Sequence, residues 1–160
     1  VKVAGRSDFD FTKLRRLDAE FVDSDEAFTQ RHGPISEFVA ARGWTAFREV
    51  ETQIIDEELR PRRVVALGGG SLETGATRDR LRRRAAVIYL EATSALLRDR
   101  IEGSDRPSVT GAPIVAEVDD LLVQRAPLYQ EVADRTVDAS LPLQAQIAAA
   151  AAPLTKTVRS

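Results

Sequence analysis

Apolar positions along this chain fall into two recurring patterns. Short unbroken runs, Val64-Val65-Ala66-Leu67 before three glycines and the stretch 85–90 before Glu91, show no polar alternation. That is the pattern of strands buried on both faces of a parallel sheet. Phe21-Val22, closed by Asp23-Ser24-Asp25, is a shorter run of the same kind. Between the runs, apolar residues recur at helical spacing over 35–42, 45–59, 74–84, 94–101 and 115–132. Strand and helix alternate, which predicts an α/β fold with a parallel sheet and helices on both of its faces.

The stretch 102–114 breaks the pattern. It holds two prolines, two glycines and several small polar residues without a usable period, and such a segment in a compact domain is expected to be a mobile lid loop. Residues 144–152 are rich in alanine and predict a closing helix, followed by a tail over about 153–160. With no repeat and no linker composition, a single domain over 1–160 is expected.

Composition narrows the chemistry. The 160 residues carry 23 basic and 25 acidic side chains, a formal charge of -2. That balance argues against a nucleic-acid or anionic-membrane partner and for a small-molecule ligand. Cysteine is absent and histidine occurs once, which removes disulfides, thiolate chemistry and a histidine-rich zinc site. A metal would be held by oxygen. No apolar run approaches a membrane span and no signal-peptide pattern is evident, so a cytoplasmic protein is expected. The expected state is a monomer, with a partner protein left open. A start at Val1 rather than methionine also fits a chain lacking its native beginning.

Several residues could carry chemistry, each with a plainer alternative. Asp23 and Asp25 follow a strand end, where open α/β sheets place their ligand crevice; either could instead cap the next helix. Gly68-Gly69-Gly70 follows another strand end, where bare backbone can approach a ligand or simply form a tight turn. Arg48 and Glu51 lie three apart and share a helix face, so the acid could fix the arginine fork for a planar carboxylate; an isolated surface pair is the commoner outcome of that spacing. Arg125 reads the same way. Arg106 could swing over a phosphate from the loop or serve its solubility. His32, before Gly33-Pro34, is expected to sit at a helix end rather than in a catalytic triad. Trp44 could be core or pocket rim. Arg78, Arg80, Arg82, Arg83 and Arg84 read as a solvated helix face.

Order and spacing together make the chain similar to the shikimate kinase family. The resemblance runs from about residue 17 to 138, through Phe21-Val22-Asp23-Ser24-Asp25, Gly33-Pro34-Ile35-Ser36-Glu37-Phe38, Gly43 with Phe47-Arg48-Glu49-Val50-Glu51, and Ala66-Leu67-Gly68-Gly69-Gly70-Ser71. It continues through Val87-Ile88-Tyr89-Leu90, Arg106-Pro107, Arg125-Ala126-Pro127-Leu128-Tyr129 and Val132-Ala133-Asp134. The resemblance implies a three-layer α/β/α fold with a central parallel sheet, nucleoside-monophosphate-kinase-like (the P-loop kinase fold), with a lid. It implies transfer of the ATP γ-phosphoryl group to the 3-hydroxyl of shikimate. By the same resemblance Asp25 would meet the shikimate hydroxyls and orient the attacking oxygen, and Arg48 and Arg125 would grip its carboxylate. Gly68, Gly69 and Gly70 would line the substrate, with Gly69 meeting it through backbone. Glu51 would hold Arg48, Asp23 would serve the Mg2+ shell, and Arg106 would reach the transferring phosphate. Such a reaction asks for positioning and charge stabilisation more than covalent chemistry.

The chain departs from the family at its start. The Walker A loop, G-x-x-x-x-G-K-[ST], cradles phosphates in backbone N–H groups, with Lys and Ser/Thr neutralising charge and binding magnesium. Here Gly5-Arg6-Ser7-Asp8 stands in that register. Arg6 is bulky for a tight nest, and Asp8 would set a negative group beside the phosphates. Ser7 is the remaining candidate for the metal. Past the last strand, Asp138-Ala139-Ser140-Leu141-Pro142-Leu143 lacks the basic residues that the family sets against adenine, and Ser108-Val109 replaces two leucines in the lid. Three readings are open: a shikimate-binding, pseudokinase-like protein with little or no ATP turnover; an active kinase using Arg6, Ser7 or Lys13 in an unorthodox loop, with ATP and Mg2+; and a non-catalytic regulatory or structural subunit.

Overall fold

The computed structural model describes residues 19–101 and 114–152. The expected nucleotide segment around Gly5, Arg6, Ser7 and Lys13, the lid with Arg106, and the tail lie outside the described residues.

The first strand, β1 (Glu20–Asp23), runs into α1 (Ser24–His32). Asp23 starts that helix: its Oδ1 accepts from the backbone N–H of Asp25 at 2.9 Å and of Glu26 at 3.3 Å. Acids in the first turn and Arg31 and His32 in the last suit the helix dipole. The long helix α2 (Ile35–Glu58) unites the two helices expected over 35–42 and 45–59. They meet at Gly43, whose φ of 81° and ψ of 166° interrupt the helix; a residue with a Cβ is strained at that φ.

Strand β2 (Arg63–Ala66) pairs parallel with β1, Glu20 opposite Arg63 and Asp23 opposite Ala66. After the glycines comes a single 3-10 turn, Ser71–Glu73, then α3 (Gly75–Arg84). Strand β3 (Ile88–Glu91) starts three residues later than the apolar run at 85 suggested, because pairing begins only where Ile88 meets Arg135. Helices α4 (Ser94–Ile101) and α5 (Ile114–Val132) come next, then β4 (Arg135–Asp138), parallel to β3, and α6 (Leu143–Ala151). Parallel pairing requires such helical crossovers. Among the described residues the strands form two parallel pairs, β1 with β2 and β3 with β4.

Three apolar clusters fix the layers. One gathers Ile55, Val65, Leu67, Leu72, Leu81, Val87, Tyr89, Tyr129 and Val132, binding α2, α3 and α5 to the strands. Another joins Leu90, Val137 and Ala139 to Leu97 of α4 and Val118 of α5. The third, Ala27, Phe28, Phe47 and Ile54, clamps α1 on α2 and takes in the partly buried Trp44. His32 ends α1 with its ring 5.0 Å from Phe28 and 5.9 Å from Phe38, so it packs at the helix end.

The basic run on α3 is more than a solvated face. Arg80 and Arg84 pair with Asp56 of α2 at 3.0 and 2.6 Å, while Arg78 and Arg82 reach Glu131 of α5. These cations tie α3 to its two neighbours.

Candidate active site

The carboxyl ends of β1 and β2 lie side by side, Asp23 opposite Ala66, so the segments leaving the two strands share one crevice. Ser24 Oγ, buried, accepts from Gly68 N at 3.2 Å and ties the two strand exits together. Asp25, in the first turn of α1, then faces the glycine bend. A Cβ on Gly68 would stand 2.7 Å from Asp25 Oδ1, a clash, and 3.2 Å from Glu51 Oε1, a tight contact. Bare backbone is what this approach requires.

Glu51 is 3 % exposed yet fully engaged. Arg48 Nη1 donates to its Oε2 at 2.8 Å and Ser71 Oγ donates to its Oε1 at 2.7 Å. A buried carboxylate is tolerable only with such partners. The Arg48 guanidinium also lies 5.4 Å from the Trp44 ring centroid and 5.2 Å from that of Phe47, within cation–π range. Of its two alternatives Trp44 takes the core one, packing with Phe47 at 5.6 Å, with the Arg48 guanidinium against its ring. A Cβ on Gly70 would collide with the Arg48 guanidinium, and one on Gly69 would sit 3.7 Å from Arg125 Nη1. The Tyr129 hydroxyl, on the same helix as Arg125, donates to the Gly69 carbonyl. Burial holds that phenol protonated well above its ordinary range, the Arg125 charge opposing the shift only in part.

Asp25, Arg48, Glu51, Arg125 and Gly68, Gly69 and Gly70 thus come together at one place, from four separate stretches of chain. Asp23 caps α1, the plainer of its two alternatives, and stands at the same strand end. Gly5, Arg6, Ser7 and Arg106 lie outside the described residues. Sequence reasoning missed Glu73. Its Oε1 accepts from Arg125 Nε at 2.7 Å, and its Oε2 lies 3.2 Å from Arg48 Nη2, so one carboxylate bridges both arginines. Among the described residues, no group of three or more His, Asp or Glu side chains comes together to hold a metal. No described helix is long and apolar enough to cross a membrane.

Two guanidinium forks and an acid around a glycine bend, at the carboxyl ends of parallel strands, define a three-layer α/β/α protein of the P-loop, nucleoside-monophosphate-kinase-like class. Solved structures share that fold. A shikimate kinase from Acinetobacter baumannii in complex with shikimate superposes with a TM-score of 0.77 at 28 % identity, over 91 % of this chain and 86 % of that one. One from Bacteroides thetaiotaomicron gives 0.75 at 21 % identity, over 91 % and 92 %. The family model described as shikimate kinase matches residues 10–154, and the chain belongs to the shikimate kinase family. Its relatives include shikimate kinase 2 of Yersinia enterocolitica, 38 % identical over 144 residues, 87 % of this chain and 83 % of that protein. Shikimate kinase 2 of Sodalis glossinidius is 39 % identical over 133 residues, 80 % of this chain and 76 % of that protein.

Proposed function

We propose that this chain binds shikimate at the glycine bend and turns over ATP little or not at all, as a pseudokinase-like member of its family. The observation that carries the acid half of the reading is the convergence of Arg48 and Arg125 on Gly69 and Gly70, with Asp25 on the other side of the bend. Two guanidinium forks suit one planar carboxylate. In this reading Arg48 and Arg125 grip the carboxylate of shikimate and Glu51 fixes Arg48. The Gly69 backbone meets the ligand, and the Asp25 carboxylate accepts from its hydroxyls. The Acinetobacter baumannii relative was solved in complex with shikimate, which supports the same ligand here.

The phosphate half rests on sequence. Gly5-Arg6-Ser7-Asp8 replaces the phosphate loop, and an added carboxylate beside phosphates disfavours their binding. Turnover would need ATP and Mg2+. Magnesium takes one or two carboxylates plus substrate phosphates, so Asp23 at the strand end fits its shell, with Ser7 the weaker candidate and Arg106 the lid's contact to phosphate. A second reading, an active kinase using Arg6, Ser7 or Lys13, is favoured by the 38 % identity to a protein named as a kinase.

Calorimetric titration with shikimate, then with ADP and Mg2+, separates the two. The proposal expects heat from shikimate and none from the nucleotide. Heat from both supports the active kinase, and heat from the nucleotide alone defeats the proposal.

A further inference from the structure

Arg48 carries two carboxylates of different character. Glu51 is buried and held from two sides, by Arg48 and by Ser71. Glu73 is 39 % exposed in its side chain, and its carboxylate rests on the two arginines. Arg125 grips it with Nε and Nη2, both at 2.7 Å from Oε1. Its main chain, by contrast, is fixed. Glu73 N donates to Gly70 O at 3.0 Å, and Arg78 Nη1 donates to the carbonyls of Leu72 at 2.5 Å and Glu73 at 3.2 Å. An anchored backbone under a half-exposed acid makes a side chain that can leave for water by rotation alone.

We propose that Glu73 is an internal stand-in for the ligand's carboxylate, occupying the arginine pair in the unliganded protein and displaced when an acid binds. This rests on the reading of the bend as a shikimate seat. The pairing supports it: among the described residues the two guanidinium groups already hold two carboxylates, Glu51 and Glu73, with Asp25 a further acid on the same bend. A third carboxylate on the same pair would bring two like charges together. Glu51 cannot leave without stranding a buried charge, so Glu73 is the acid that yields. Its departure keeps the number of carboxylates on the arginine pair at two with the ligand in place. Glu73 therefore weakens acid binding by the strength of the contacts it gives up, and it holds both arginine forks in position until the ligand arrives.

Titration of shikimate into the wild-type chain, Glu73→Gln and Glu73→Ala, each checked by circular dichroism, tests this. Both variants should bind shikimate about 3- to 30-fold more tightly than wild type, the range set by releasing two partly exposed ion pairs. Unchanged or weaker binding in both variants overturns the inference and leaves the shikimate reading standing. Tightening by Glu73→Gln with weakening by Glu73→Ala also overturns it, because the introduced amide would then be the cause. Folded proteins that bind no shikimate in any of the three forms defeat the inference together with the reading beneath it.

Discussion

At the amino ends of β1 and β2, Glu20, Arg63, Glu58 and Arg31 form a chain of ion pairs; at the carboxyl ends, Arg48, Glu51, Glu73 and Arg125 form another. The residue types are the same and both chains join helix to strand or turn. In the first, Arg63 reaches Glu20 and Glu58, and Arg31 reaches Glu58 at 2.9 Å and Glu57 at 2.5 Å. Every partner there comes from a helix or a strand, α1, α2, β1 or β2. In the second, glycine backbone lies against the charges so closely that a Cβ would strike Arg48 or Asp25. Arginine–glutamate pairing therefore says little about function by itself. Exposure does not separate them, since Glu20 and Glu57 are more exposed than Glu73; missing side chains beside the charges separate a ligand seat from a brace.

Breaking each network should produce opposite signatures. The largest effect is expected for Arg48→Ala, which removes one fork of the carboxylate grip: shikimate affinity should fall by about 100-fold or more by calorimetry, with far-UV circular dichroism still native. Affinity surviving that change would dissolve the distinction. Next, Glu58→Ala removes the acid shared by Arg31 and Arg63. Denaturant unfolding should show a loss of about 1–3 kcal/mol, while the folded variant keeps its shikimate affinity. The smallest effect concerns pH. Hydrogen bonding and charge attraction from Arg63 hold the Glu20 carboxyl below its usual range. A depressed carboxylate stabilises the fold above its ordinary pKa and loses that contribution as pH falls through the folded value. Glu20→Gln should accordingly flatten the acid limb of the stability curve without touching ligand binding, as thermal melts between neutral and acid pH would report.

How much of this could be read from the sequence depended on how local each signal was. The apolar run of β2 followed by three glycines, and the 94–101 helix, needed no distant partner and were legible. Strand β4 was not visible as an apolar run, because Arg135-Thr136-Val137-Asp138 holds a single apolar residue, Val137, which is also the one it buries. The boundary between the helices expected over 35–42 and 45–59 was legible too, because Gly43 takes the non-helical φ and ψ that break α2 into two at that point. In the site, Asp25, Arg48 and Glu51 carried local cues, strand-end position and three-residue spacing. Glu73 carried none. Its partner Arg125 lies 52 residues away and its other partner Arg48 approaches from a different element, so only the folded chain brings them together. The cations of α3 show the same limit, their acids Asp56 and Glu131 being supplied by other helices.

A crystal structure of the chain grown with shikimate tests the acid seat most directly. The ligand's carboxylate should lie between the guanidinium groups of Arg48 and Arg125, its ring over Gly68–Gly70 and a hydroxyl at Asp25. A ring seated elsewhere, or a carboxylate turned away from both arginines, would contradict the assignment of this bend.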